Sequence, residues 1–167
     1  MAGGLEMNVR FIDTSIMLNL LGVPKHCQEE ARIKAEWKQV LENKETLIMP
    51  IATIIETGNH IAHIEKGDVR RTITLKFQEY LRRTAQSEAP WELYGAGLNS
   101  EEIRYLADHL AEYTRSNIGI GDMTIIYAYQ KYIEERPAIG TVMIWSTDNH
   151  LAAHRVDNVS MTRRRKK

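Results

Sequence analysis

The run Asn8–Leu21, NVRFIDTSIMLNLL, decides the fold class. Val9, Phe11 and Ile12 are strand formers in a short apolar run. The run ends at Asp13-Thr14-Ser15, and Ile16–Leu21 then reads as a short helix, closed by Gly22 with Pro24 just beyond. Strand followed directly by helix is an alternation that the rest of the chain repeats. A long helix is expected over Pro24–Asn43, with Ile33, Trp37, Val40 and Leu41 at helical spacing. Leu47–Ala52 is the next strand candidate, although Pro50 sits badly inside a ladder because it has no N–H to donate. A helix is expected from about Thr53, with Ile54, Gly58, Ile61 and Ala62 as one stripe. Gly67-Asp68 reads as a break before a helix over Val69–Thr84, whose inner face is Val69, Ile73, Phe77, Tyr80 and Leu81.

Further on, Trp91–Tyr94 is a short strand candidate. Asn99 and Glu102 have capping-box spacing ahead of Ile103, Leu106, Ala107 and Leu110, so a helix is expected to about Tyr113. Asp122–Glu135 reads as the last long helix, and Thr141–Trp145 as a strand leading to Ser146-Thr147-Asp148. A short helix over Asn149–His154 and an edge strand over Val156–Met161 complete the expectation. Strands alternating with helices from end to end point to an α/β fold: a three-layer α/β/α sandwich around a mostly parallel sheet of about five strands. Residues 1–6 read as a flexible leader or expression remnant, residues 7–162 as one domain and residues 163–167 as a basic tail.

The 167 residues carry 22 Lys+Arg and 22 Asp+Glu, a net charge of zero. The zero conceals a split. Five of the positive charges are Arg163–Lys167, so residues 1–162 hold 17 against 22, a net of −5. No apolar run approaches the roughly 20 residues of a membrane span. The single cysteine, Cys27, excludes an internal disulfide or a cysteine zinc knuckle and reads as partly buried packing. These features together predict a cytoplasmic setting. No Gly-rich phosphate loop of the Gly-x-x-x-x-Gly-Lys or Gly-x-Gly-x-x-Gly kind is present, which argues against a nucleotide-driven enzyme.

Ligand sites in parallel sheets gather beyond the carboxyl ends of the strands. Asp13 and Asp148 each follow a strand directly, while Glu56 and Asp122 fall in the first turns of helices that point back to that edge. Each also has a plain capping role open to it: Thr53-x-x-Glu56 matches a capping box, and the three aspartates can each cap a helix. Four such coincidences, all filled by acids, favour a common site.

Phe11-Ile12-Asp13-Thr14-Ser15-Ile16-Met17-Leu18 resembles the first motif of PIN-domain ribonucleases, and Thr53-Ile54-Ile55-Glu56 their second. Gly121-Asp122-Met123-Thr124-Ile125-Ile126-Tyr127-Ala128 is similar to the third, and Ile144-Trp145-Ser146-Thr147-Asp148-Asn149-His150-Leu151 to the fourth. The four occur in the family's order over Phe11–Leu151. The chain departs from the family in two ways: Asn149 and His150 stand where many members carry a further acid, and there is extra helix between Val69 and Pro90.

The resemblance implies a metal-dependent endoribonuclease that leaves 5′-phosphate products, the VapC-like toxin of a toxin–antitoxin pair, with an antitoxin partner and a homodimer. Asp13, Glu56, Asp122 and Asp148 would surround Mg2+ or Mn2+, since oxygen-only ligands suit hard cations. Thr14, Ser15, Thr147 and Asn149 are candidates to support the acids or contact phosphate. Arg71, Lys76, Arg82 and Arg83, flanking the apolar face of the Val69–Thr84 helix, are candidate RNA contacts or simply a solvated face. The pairs His60/His63 and His150/His154 can each share a helix face but lack an HExxH or cysteine partner, so surface or capping roles fit them better than zinc. A PIN-like scaffold that binds RNA or protein without cutting is the alternative. An aspartyl-phosphate phosphohydrolase is disfavoured by Ser15, which stands two residues after Asp13 where such an enzyme needs an acid.

Overall fold

A computed structural model describes residues 7–94, 98–136 and 140–157. Its elements are β1 (Val9–Ile12), α1 (Thr14–Leu21), α2 (Glu30–Glu42), β2 (Thr46–Met49), α3 (Ile51–Ala62) and α4 (Gly67–Ala85). They continue with β3 (Trp91–Leu93), α5 (Ser100–Arg115), α6 (Ile120–Glu135), β4 (Val142–Trp145), α7 (Asn149–Ala152) and β5 (Arg155–Val156). The strands form one sheet in the order β3-β2-β1-β4-β5. β1, β2, β3 and β4 are parallel, and β5 runs antiparallel beside β4. The sheet is thus mixed and mostly parallel.

Successive side chains of a strand face opposite sides, and here both sides are buried. Ile12, Leu47, Met49 and Trp145 face one core, shared with Ile16 and Met17 of α1, Ile33 of α2, Ile61 of α3 and Ile73 and Phe77 of α4. Val9, Phe11, Ile48, Val142 and Ile144 face the other, packed against Ile125, Ile126, Tyr129 and Tyr132 of α6. This arrangement is consistent with a three-layer sandwich. Arg10, a charge on the central strand, is matched by Glu45 at 2.5 Å and lies over the Trp145 ring, 5.1 Å from its centroid.

Several boundaries differ from the sequence expectation, each for a local reason. The helix expected over Pro24–Asn43 begins only at Glu30. The chain first makes a turn in which Lys25 adopts a left-handed φ of 70° and His26 N–H bonds the Val23 carbonyl at 3.0 Å. The strand expected over Leu47–Ala52 stops at Met49, and Pro50 caps α3 (φ −65°), where its missing N–H is not needed. α3 therefore starts before Thr53, which lies inside the helix and not at its cap. Gly67-Asp68 is the first turn of α4 and not a break. Asn99 does cap α5, accepting from Glu102 N–H at 2.9 Å, but Ile103 and Leu110, expected in the core, are 49% and 36% exposed. Leu106 of that stripe is buried as expected, and Glu102 and Tyr113 turn inward beside it, so the inner face of α5 is shifted from the expected one. Of the strand expected over Val156–Met161, β5 includes Val156, while residues 158–161, the leader 1–6 and the tail 163–167 lie outside the described residues. Among the described residues no helix is long and apolar enough to cross a membrane.

Two buried threonines one helical turn apart on α3 make a controlled comparison. Thr53 Oγ1 donates to the Ile12 carbonyl at 2.7 Å, tying α3 to the end of β1. Thr57 Oγ1 is buried with no hydrogen-bond partner. Thr53→Val should destabilise the protein by about 1–3 kcal/mol, because it leaves a buried carbonyl orphaned. Thr57→Val, which removes an orphan hydroxyl at nearly constant volume, should be neutral or stabilising. Urea unfolding of both variants checks the pair.

Candidate active site

The strand order changes direction at β1. Successive strands step from β1 to β2 to β3 on one side, and β4 lies on the other. A crevice opens beyond the carboxyl ends of the strands at such a point. Ile12 pairs with Trp145, so the next residues, Asp13 and Ser146, emerge side by side. Asp13 is 4% exposed, and three hydrogen bonds fall on its Oδ2: from Ser15 Oγ at 2.7 Å, Ser146 Oγ at 2.8 Å and Ser15 N–H at 3.3 Å.

From Asp13 the polar contacts run both ways along the edge. On the β4 side, Ser146 Oγ accepts the Asp148 N–H at 2.9 Å, and Ser15 Oγ accepts the Thr147 N–H at 3.0 Å. On the α3 side, Thr14 Oγ1 donates to Glu56 Oε2 at 2.9 Å. The other Glu56 oxygen lies against Gly121, where a Cβ would collide with Oε1. Glycine is required there because α3 brings a carboxylate against the α6 backbone. Asp122 is the next residue.

Asp122 reads out the crowding. Burial raises its carboxyl from the ordinary 3.8 to about 6, and the charges of Asp13, Glu56 and Asp148 add to the rise in that order, with His150 opposing. The four predicted acids therefore share one electrostatic field. Their capping roles divide. Asp13 does cap α1, and Asp148 caps α7 by accepting the His150 N–H at 2.9 Å. Asp122 is not a cap, since Gly119 fills that position. Glu56 is not part of a capping box, since Pro50 caps α3. For these two no capping role accounts for the acid.

Of the supporting residues expected from sequence, Thr14 and Ser15 contact the acids through their hydroxyls. Thr147 contributes its N–H to Ser15, and Asn149 is the exposed first residue of α7. Ser146 and Gly121 were not singled out. Ser146 gains its place from the β1–β4 register, which no local pattern encodes, and Gly121 gains its role from the approach of Glu56 on α3. Arg71, Lys76, Arg82 and Arg83 are all exposed on α4. Arg82 and Arg83 occupy its last turn, and Arg83 bonds the Glu88 carbonyl at 3.2 Å, just ahead of the first residue of β3. That is the edge where the strands begin, opposite the acids. Arg71 borders a groove with Gly58 and Ala62 of α3.

The acids offer oxygen donors alone, the type that suits a hard cation. The hydrogen bonds to Asp13 all fall on Oδ2 and that to Asp148 on Oδ1. No hydrogen bond among the described residues reaches the Asp122 carboxylate. Each of these acids thus keeps an oxygen without a protein donor. Among the described residues, no group of three or more His, Cys, Asp or Glu side chains is arranged to hold a metal ion. Hydroxyl groups of Thr14, Ser15 and Ser146 stand among the carboxylates. A scan against protein-family models and a search of curated proteins return no match.

An acid whose folded pKa exceeds its unfolded value takes up protons on folding, so its contribution to stability falls as pH rises through 3.8 to about 6. Asp122→Asn removes that penalty. The variant should unfold at a higher temperature than the parent at pH 7.5, and the gain should shrink below pH 6 and vanish near 3.8. Thermal unfolding followed by circular dichroism across this range tests it. A gain that does not depend on pH would contradict the raised carboxyl of Asp122.

Proposed function

We propose that this protein is a metal-dependent endoribonuclease of the PIN class, hydrolysing RNA phosphodiester bonds at the carboxyl edge of its sheet. The observation that carries the reading is the convergence of Asp13, Glu56 and Asp148 on Asp122, whose carboxyl feels all three charges, with Ser15 and Ser146 bonded to Asp13, Thr14 to Glu56, and Glu56 against Gly121. It joins four acids that are up to 135 positions apart in the chain. Burial and the charges of the other three act against ionisation of Asp122, and a divalent cation is the partner that would relieve this. The resemblance of the four motifs adds the family and, with it, a toxin–antitoxin setting and pairing of two copies.

Asp13, Glu56, Asp122 and Asp148 would hold Mg2+ or Mn2+. Such an ion polarises the phosphodiester, eases ionisation of an attacking water and steadies the leaving oxygen. The chain's own part is positional. Ser15 and Ser146 anchor Asp13 through Oδ2 and so direct its other oxygen, Oδ1, to the ligand side. Thr14 and Gly121 hold Glu56 between α1 and α6. With its carboxyl raised to about 6, Asp122 exchanges its proton close to neutrality when no cation is bound, and a cation shifts it to the charged form.

Incubation with a labelled single-stranded RNA should give cleavage with Mg2+ or Mn2+ and none with EDTA. Asp13→Asn and Asp122→Asn should abolish it. Ser146→Ala, which frees Asp13 without removing it, should lower the rate about 10- to 100-fold. Cleavage that survives EDTA, or that is unchanged in both aspartate variants, would sink the proposal. Metal binding without cleavage of RNA or DNA would favour a non-cutting scaffold.

A further inference from the structure

Beyond Glu56, α3 leads to a cavity of opposite chemistry. It encloses about 280 Å3 and is lined by His26, His60, His63, Lys25 and Lys66, with Glu65 the only acid in its wall among the described residues. Three of the protein's six histidines lie here. Glu65 is already engaged by Lys25, whose Nζ stands 2.7 Å from its Oε1. In a segment with a net charge of −5 over residues 1–162, this is a local excess of donors.

The fold builds the cavity deliberately at its loop side. Lys25 takes a left-handed φ of 70°, a conformation a lysine adopts only at some cost. That turn brings His26 onto His60, with ring centroids 4.4 Å apart. The buried Asn19 braces the turn, donating to the Ser15 carbonyl at 2.8 Å and accepting the Glu29 N–H at 3.0 Å. The donors are of two kinds. Lys25 and Lys66 carry ammonium groups, each with three N–H bonds and no acceptor. His60 is held below its ordinary range, first by burial and then by the charge of His26, so it offers one N–H as a neutral ring. His63 donates Nδ1–H to the Asn59 carbonyl at 2.7 Å, which fixes the ring in the cavity wall.

The cavity is also in line with the acids. Glu56 and His60 are at i, i+4 on one face of α3, and His63 is the capping residue at its C-terminal end. Seven residues of helix rise about 10 Å, roughly three stacked nucleotides of a single strand.

We propose that the His26–His60–His63 cavity binds a backbone phosphate of the same RNA strand whose scissile bond lies at the carboxylates, two or three nucleotides away. The assignment rests on the nuclease reading and gives the strand a direction across the protein, from the acids along α3. It also answers how an acidic site retains an anionic polymer. The holding charge sits one to two helical turns from the cutting charge.

The test separates the two readings by working without cleavage. In EDTA, the six histidine ring signals are followed by NMR during titration with inorganic phosphate and then with a ten-nucleotide single-stranded RNA. Signals of His26, His60 and His63 should move with both ligands, while His109 and His154 stay as internal references. In fluorescence anisotropy, Lys25→Gln/Lys66→Gln and His60→Gln should each bind the same RNA at least about tenfold more weakly. The salt slope of the lysine variant should flatten by about 0.7 for one lost phosphate contact. Circular dichroism establishes that the variants are folded. Unmoved histidine signals, a response to phosphate but not to RNA, or unchanged RNA affinity in both variants would overturn the proposal. RNA bound at the cavity by a wild-type protein that cuts nothing with Mg2+ or Mn2+ would refute the nuclease reading and leave the phosphate site standing.

Discussion

Oδ2 of Asp13 is the point on which the carboxyl edge depends. Hydrogen bonds from Ser15 on α1 and Ser146 after β4 meet on that one atom. They join the start of one helix to the end of a strand 133 positions away. Charge-assisted hydrogen bonds of this kind are stronger than neutral ones, and a buried carboxylate needs them. The arrangement is possible because β1 lies between β2 and β4 and is parallel to both. Three strands then end at one edge, and the residues after them are forced together.

The same edge carries an opposing cost. Burial and three neighbouring carboxylates act against charge on Asp122. A structure selected only for stability would place an asparagine or a hydroxyl there. Gly121 makes the conflict sharper, since a side chain at that position would push Glu56 away from the group. The fold keeps the acids close and separates them with the hydroxyls of Thr14, Ser15 and Ser146. Local destabilisation concentrated at one polar crevice is the usual mark of a working site.

Within the net −5 of residues 1–162 the charges are unevenly placed. Acids gather beyond the ends of β1 and β4, while imidazoles and ammonium groups gather near the far end of α3. Arg82 and Arg83 lie at the other edge of the sheet, away from both. Position along α4 decided this: a 19-residue helix covers about 28 Å, so basic residues on one helix face need not serve one ligand.

The alternation of strands and helices, the inner face of α4 and the cap of α5 were legible in the sequence, because each depends on residues within one or two helical turns. So were Asp13, Asp148 and Asp122, from their positions after strands and at a helix start, whereas Glu56, expected in a first helical turn, lies in the second turn of α3. Reading failed where a local pattern had two outcomes. Thr53-x-x-Glu56 matched a capping box, but the helix began at Ile51, so Thr53 instead bonded the Ile12 carbonyl and Glu56 turned to Thr14. The apolar stripe of α5 named Ile103, Leu106, Ala107 and Leu110, but packing buried only Leu106 of its three large residues and added Tyr113. By itself the sequence determined which residues can bear charge, cap a helix or enter a strand, since these are properties of single side chains and short spacings. Only the tertiary structure decided that Ser146 meets Asp13, that Glu56 lies on Gly121 and that His26 meets His60. Those contacts arise from strand register and helix packing, which bring together segments the chain itself holds far apart.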